Sequence, residues 1–306
     1  MHFLQTAAWE NFQKSLGRTT FRQSGKGWEY LAILEHGTGN SRLYCPYGPY
    51  AENPEAFKDA LKSLVFLAKS QNVTFVRIEP TDSGLAPLLS SNGWKKVTYQ
   101  SLNPEHTHII NLQQSEEEII SQMSQPARNV YRNYSKKGFH VKKSHNPTDI
   151  HIFLELIHQV ADRTNMRPHS DAYFMAQADS LLPSGSATLW YAELNSVPIA
   201  SALLYDSPTT RYYAHAAASS LPEHRKLNAS TAIVAEAIID AKRKGLATFD
   251  LYGIAPDDSP DNHPWKGFTR FKRSFGGEDL THAGSWDLPI KTLAYYLYRA
   301  YQKARR

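Results

Sequence analysis

A chain of 306 residues is long enough for two ordinary domains, each able to bury its own core. Its formal charge of +5 and pI near 9.0 suit an anionic partner such as nucleic acid or a phosphorylated molecule, and the single cysteine, Cys45, excludes an intramolecular disulfide and a cysteine-rich zinc site, as expected of a cytoplasmic protein. The N-terminal MHFLQTAAWENF lacks a basic stretch ahead of a long apolar core, and no run of about eighteen apolar residues occurs, so neither secretion nor a transmembrane segment is expected.

Trp9 to Leu16 reads as an amphipathic helix with Trp9 and Phe12 inward and Lys14 outward. Strands follow at Trp28–Leu34 and Ser41–Tyr44 around the turn Gly37-Thr38-Gly39-Asn40. Pro54–Ser70 is a helix with proline in its first turn, Val73–Ile78 a buried strand, Leu85–Ser91 a short helix stopped by Asn92-Gly93, and Trp94–Tyr99 and His106–Leu112 strands. Ser115 opens a helix through a capping box with Glu118; it turns Ile119, Ile120, Met123, Ala127 and Tyr131 inward and sets Arg128, Arg132 and Lys136 on one solvated stripe. Asn146-Pro147 starts another helix, carrying Ile150, Phe153, Leu154 and Ile157.

The second half repeats the order of the first. Thr188–Leu194, Pro198–Tyr205 and Arg211–Ala217 are strands, Ala229–Lys244 a long helix capped by Gly245, and Ala247–Tyr252 a strand. A short helix through Phe275 and a strand near Glu278–His282 complete it, and Pro289–Arg306 is a last helix with Ile290, Leu293, Ala294, Leu297 and Tyr301 inward. Each half runs hairpin, long helix, strand, short helix, glycine, strand, an acyltransferase-like plan of mixed α/β sheets with the halves divided at 145/146. The turn before the long helix of the second half, Pro222 to Asn228, has no glycine, so the backbone cradle that grips the pyrophosphate of coenzyme A is not expected there.

Thr248 to Gly277 carries the chemistry. Phe249 and Leu251 alternate with Asp250 and Tyr252, which sets an acid and a phenol on the opposite face of a strand end. After Gly253 a long loop rich in aspartate and proline leads to the basic, aromatic segment His263 to Arg273. Nothing in the chain reads as a metal centre: there is no HExxH, His106 and His108 have no evident third ligand, and Asp257, Asp258 and Asp261 lack the glycine and final glutamate of a calcium loop. No GxSxG elbow or Walker loop occurs either.

The run DLYGI followed by HPWKGFTRFKRSFGG resembles the Fem peptidyltransferases of the FemA, FemB and FemX type, as do YCPYGP (44–49), FVRIEP (75–80), ARNVYRNYSKKG (127–138) and RPHSDAYF (167–174). The resemblance implies two tandem GNAT-like domains, residues 1–145 and 146–288, with the C-terminal helix returning to the first, and, since no heptad run is present, the minimal FemX-like form without a helical arm. It also implies a reaction: an amino acid passes from aminoacyl-tRNA, as co-substrate and without a cofactor, to the stem peptide of a peptidoglycan precursor, either UDP-MurNAc-pentapeptide or lipid II. A lipid-linked acceptor would bring a peripheral contact with the inner membrane face.

Lys272 matches the family's lysine and is implied to be catalytic. Tyr213, Tyr173 and His169, which stands where the family has arginine, are implied to contact the precursor between the halves, and Lys14 to grip its pyrophosphate. Asp250, Tyr252, Trp265, Arg270 and Phe271 complete the expected substrate contacts. The chain departs from the family at Tyr47, where an arginine is usual, and at Ala216 and Ala218, where glycine and serine are. Two other readings stay open: an N-acyltransferase acting on a non-peptidoglycan amine, and a non-catalytic binder of tRNA or precursor.

Overall fold

The computed structural model describes residues 1–100 and 102–304. It divides into two compact units, residues 1–106 with the segment from Thr281 onward, and residues 107–280. Helix α1 (Ala7–Ser15) starts the first unit, with the Thr6 side chain accepting from the Trp9 amide and Trp9 and Phe12 buried. Strands β1 (Thr20–Gly25), β2 (Trp28–Gly37) and β3 (Asn40–Cys45) form an antiparallel meander, and β4 (Tyr50–Ala51) pairs with the start of β2. The polar composition of Thr20-Phe21-Arg22-Gln23-Ser24-Gly25 hides β1 from pattern reading, because an edge strand needs no apolar alternation.

Helix α2 (Pro54–Ser70) is capped by the Asn53 side chain and buries Phe57, Leu61, Leu64 and Ala68 against one face of the sheet. The chain returns in β5 (Phe75–Ile78), parallel to β3, and continues through α3 (Ala86–Ser91) to β6 (Lys95–Lys96), two residues rather than the six expected for Trp94–Tyr99.

The second unit runs β7 (His106–Asn111), α4 (Glu116–Gln122), α5 (Gln125–Asn133), β8 (Phe139–Ser144), α6 (Ile150–Thr164), α7 (Asp171–Leu181), β9 (Ala187–Leu194), β10 (Val197–Asp206), β11 (Thr210–Ala218), α8 (Pro222–Arg225), α9 (Ala229–Arg243), β12 (Thr248–Gly253), α10 (Lys266–Arg273) and β13 (Glu278–Thr281). Its sheet order is β13-β7-β12-β11-β10-β9-β8, with β11 and β12 parallel across the α9 crossover. The single helix expected after Ser115 is two. Pro126 cannot donate within a helix interior, so the chain breaks at Met123-Ser124 and Ser124 caps a new start. Arg128, expected to be merely solvated, donates to the carbonyls of Ser121 and Met123 across that break.

The chain then returns to the first unit as β14 (Trp286–Pro289) and α11 (Thr292–Ala304), with β14 lying between β5 and β6. Each sheet therefore holds a strand distant in sequence from its neighbours: β7 serves the second sheet and β14 the first. For that reason the boundary expected at 145/146 falls at 106/107, and α4, α5 and β8 belong to the second unit. Each unit still combines antiparallel strands, a long helix and a parallel return, the tandem GNAT-like plan.

Helix α11 covers the face of the first sheet opposite α2, with its Tyr295 and Tyr298 rings 5.3 and 5.1 Å from that of Phe75. The inward face expected for it is wrong. Leu293, Leu297 and Tyr301 are exposed and Tyr295 is fully buried, because Arg77 and Asp287 on the sheet below offer polar partners that tyrosine satisfies and leucine does not. Arg305 and Arg306, the end of the expected helix, lie outside the described residues.

Candidate active site

In the parallel pair of the second unit, register runs only from Thr210 opposite Thr248 to Tyr212 opposite Asp250, after which both strands continue without pairing to each other. Phe249, Leu251 and Tyr213 enter the core beneath α9, so Asp250 and Tyr212 share the other face. Tyr205 on β10 lies opposite Tyr212 on that same face.

A bulge extends this face. Leu204 pairs with Tyr213 but Leu203 pairs with His215, so Ala214 is the extra residue and His215 turns to the side of Tyr205 and Tyr212 rather than to that of Tyr213. The expected substrate contact of Tyr213 is corrected accordingly: its ring is 8 % exposed in the core cluster with α9 residues, and burial pushes its hydroxyl pKa up.

Lys272 stands near Asp250, toward the end of α10. Its Nζ donates to the Gly253 carbonyl at 2.6 Å, which leaves two of its three N–H donors uncommitted among the described residues. Burial lowers its pKa to about 8, against the opposing pull of the Asp250 charge. Asp250 is itself buried and accepts from the Thr107 hydroxyl and, at 2.7 Å, from the Tyr252 amide.

That last bond follows from a break in the strand. Tyr252 has φ +62°, so the alternation expected through it fails, and its ring turns to stand 5.9 Å from Tyr212, edge to face. The loop beyond is latched to α10 by Thr269, whose Oγ1 accepts from the Ala255 amide at 2.8 Å and donates to the Trp265 carbonyl at 2.9 Å.

The far end of α10 is clamped as tightly. Arg273 pairs with Asp257 and Asp279, and His108 contacts Asp279 and the Gly276 carbonyl at 2.6 Å each. Gly277, at φ +90°, lies where an added Cβ would overlap the Ile109 carbonyl oxygen. Gly277→Ala is therefore expected to destabilise the protein by about 2 kcal/mol or more, read as a lower denaturant midpoint with an unchanged slope.

His169 and Tyr173 sit at the N-terminal end of α7, where Ser170 caps the helix through the Tyr173 amide. Their rings stack at 4.3 Å, and His169 is 6.2 Å from His215. Around His215 stand Phe174 at 5.1 Å, Tyr205 at 6.0 Å and Phe153 at 6.4 Å, and burial, followed by the His169 charge, lowers its pKa to about 4. The imidazole is neutral at physiological pH, and among the described residues neither ring nitrogen has a hydrogen-bond partner. The Tyr205 hydroxyl donates to Gln177 Oε1 at 2.9 Å, and its pKa is raised by burial and then by the Tyr173 and Tyr252 phenols on either side.

One face of the second unit thus brings together Lys272, Asp250, Tyr252, Tyr173 and His169 from the sequence-predicted set, and adds Tyr205, Tyr212 and His215. The other predicted residues lie elsewhere. Trp265 is 40 % exposed at the start of α10 beside His263, Arg270 is exposed on the same helix, and Phe271 packs on Phe275 and the core. Lys14 projects from α1 in the first unit and is paired with Glu10 at 2.8 Å. His215 escaped the sequence reading because its facing depends on a bulge; the only signal was a histidine among small residues in RYYAHAAAS.

In the first unit the corresponding strand end is filled by its own polar groups. Glu79 is buried after β5 and accepts from Tyr44, Asn103 and Ser285 at 2.7, 2.7 and 2.6 Å.

A family model described as the FemAB family matches residues 91–196 and 187–303. No curated protein sequence matches. Among solved structures, a crystal structure of FemX is 18% identical with a TM-score of 0.86, covering 97% of this chain and 94% of that one. The C-terminal domain of a putative lysylphosphatidylglycerol synthetase from Agrobacterium fabrum is 12% identical with a TM-score of 0.61, covering 97% of this chain and 92% of that one. L-PGS from Bacillus licheniformis is 11% identical with a TM-score of 0.61, covering 98% and 96%. The family match spans more than half of the residues and runs through the strand, loop and helix that hold Asp250 and Lys272, so the chain belongs to the FemAB family and is an acyltransferase of the peptidoglycan-bridge kind.

Proposed function

We propose that this protein transfers an amino acid from aminoacyl-tRNA to an amine on the stem peptide of a peptidoglycan precursor by direct aminolysis. The observation that carries the reading is Lys272, a desolvated ammonium with two spare donors beside the buried carboxylate of Asp250. The acceptor nitrogen attacks the ester carbonyl carbon, and the C–N bond forms as the carbonyl oxygen takes up negative charge. The Lys272 ammonium stabilises that oxyanion, where a preorganised cation in a dry setting acts most strongly. Collapse breaks the C–O bond to the ribose, and the proton lost by the amine passes through a substrate hydroxyl to the departing oxygen.

The neutral His215 imidazole does not repel an acceptor that arrives as an ammonium; that group gives its extra proton to solvent before the attack, and His215 then offers a lone pair to an N–H of the neutral amine. Tyr173 and His169 line the approach, and Trp265 and Arg270 on the exposed side of α10 suit the terminal adenosine and phosphates of the tRNA. The segment before α9 is the short helix α8 followed by Asn228 at φ +57°, with no glycine turn, which favours a donor other than coenzyme A.

The reading is tested by incubating the protein with charged tRNA and UDP-MurNAc-pentapeptide and weighing the acceptor by mass spectrometry. Gain of one aminoacyl residue supports it. Tight acetyl-CoA binding with acetylation of an unrelated amine would replace it. Within the reaction, His215→Phe keeps the ring packing and removes the lone pair; it is expected to raise KM for the acceptor by about tenfold with a smaller effect on kcat, measured by varying acceptor at saturating tRNA.

A further inference from the structure

Helix α11 presents to solvent the face that pattern reading assigns to the interior. Leu293 is 76 % exposed, Leu297 64 %, Tyr301 50 % and Tyr296 49 %, and their spacing of three and four residues joins them into one stripe along the helix. A contiguous apolar surface of this kind is unusual on a monomeric soluble protein. Its surroundings are cationic. From Leu288 to Arg306 the chain has no acidic residue, while Lys291 and Lys303 are exposed near either end of the helix and Lys95 of β6 lies 5.9 Å over the Tyr296 ring.

We propose that the outer face of α11 docks on a membrane surface through anionic lipid headgroups, with the leucine and tyrosine side chains entering the headgroup boundary. Leucines and tyrosines on one face with lysines at their margin are what an interfacial helix needs: apolar area to bury and cations to meet lipid phosphate. A nucleic acid would meet the cations and leave the leucines in water. A second copy of the same face would bring like charges together. Among the described residues no helix is long and apolar enough to cross a membrane, so the contact is lateral. The inference deepens the proposed function, on which it rests only for its purpose, since a docked enzyme would reach a lipid-linked acceptor.

Co-sedimentation of the full chain with vesicles tests it. The protein is expected to bind vesicles of phosphatidylglycerol mixed with phosphatidylcholine, not phosphatidylcholine alone, and to be released by high salt. Leu293→Gln with Leu297→Gln, and separately Lys291→Gln with Lys303→Gln, should each lower the vesicle-bound fraction by about tenfold or more, with the melting curve unchanged. Absence of wild-type binding, or equal binding by the leucine variant, would overturn the proposal, as would a wild-type dimer on gel filtration that the leucine variant splits. Transfer to a water-soluble, nucleotide-linked acceptor, run on the same variants, separates the two claims: it should persist when docking is lost, and its absence in the wild type would count against the reaction alone.

Discussion

Lys272→Met is expected to reduce transfer by about 10²–10³-fold in kcat, the usual cost of removing one preorganised oxyanion donor, while the fold survives. The stability effect should run the other way. In the folded protein Lys272 titrates near 8, below its ordinary value of 10.5, so between those values the unfolded chain binds more protons and stability rises with pH. Below pH 8 the charged, desolvated ammonium is a net cost to the fold. Methionine removes that cost, so the variant should melt higher than the wild type at pH 7 and lose the advantage toward pH 10. A variant that melts lower at pH 7 would contradict the desolvated setting, and one that keeps full activity would contradict the catalytic role.

The same ionisation predicts the pH profile. The cation that stabilises the oxyanion is lost as pH rises through about 8, which gives kcat/KM a descending limb there in the free enzyme. Lys272→Arg, whatever its residual rate, should move that limb beyond the accessible range, because guanidinium does not deprotonate. A limb that stays in place in the arginine variant would assign it to another group.

Asp287→Ala should produce the largest loss of stability. Arg77 and Asp287 are both fully buried and joined by two hydrogen bonds at 2.7 and 2.9 Å, with the Tyr99 and Tyr295 hydroxyls donating to the same carboxylate at 3.0 and 3.1 Å. Removing the carboxylate leaves an unpaired guanidinium in the core, at a cost of about 3–5 kcal/mol. For a unit of this size that corresponds to a fall of roughly 10 °C in its thermal midpoint. The double change Arg77→Met with Asp287→Leu removes both charges and should recover much of the loss, which separates the penalty of an orphaned charge from the worth of the pair. Calorimetry of the three proteins reads both effects.

The residues that make each element were largely legible. Asn53 and Pro54 start α2, the capping box at Ser115 starts α4, and the alternation of Phe249 and Leu251 marks β12, because caps and periodicity act within a few residues of chain. Lys272 stood out through the family pattern and Asp250 through the alternation of its strand, and the structure sets the two near each other. The misses lie where local pattern is silent or outvoted. Leu293, Leu297 and Tyr301 looked like an inward stripe, yet Tyr295 won the interior because the sheet beneath it carries a buried ion pair that needs hydroxyl partners.

By itself, then, the sequence determined the two mixed α/β repeats, their caps and turns, and the basic, aromatic segment that carries Lys272. Only the tertiary structure decided that β7 and β14 join sheets remote from their chain neighbours, that a bulge at Ala214 turns His215 toward Tyr205 while Tyr213 goes to the core, and which face of α11 meets water. The physical reason is range. A cap or a period is satisfied by neighbours in the chain, whereas strand partners, bulge position and the buried side of a helix are set by groups that meet only after the chain has folded.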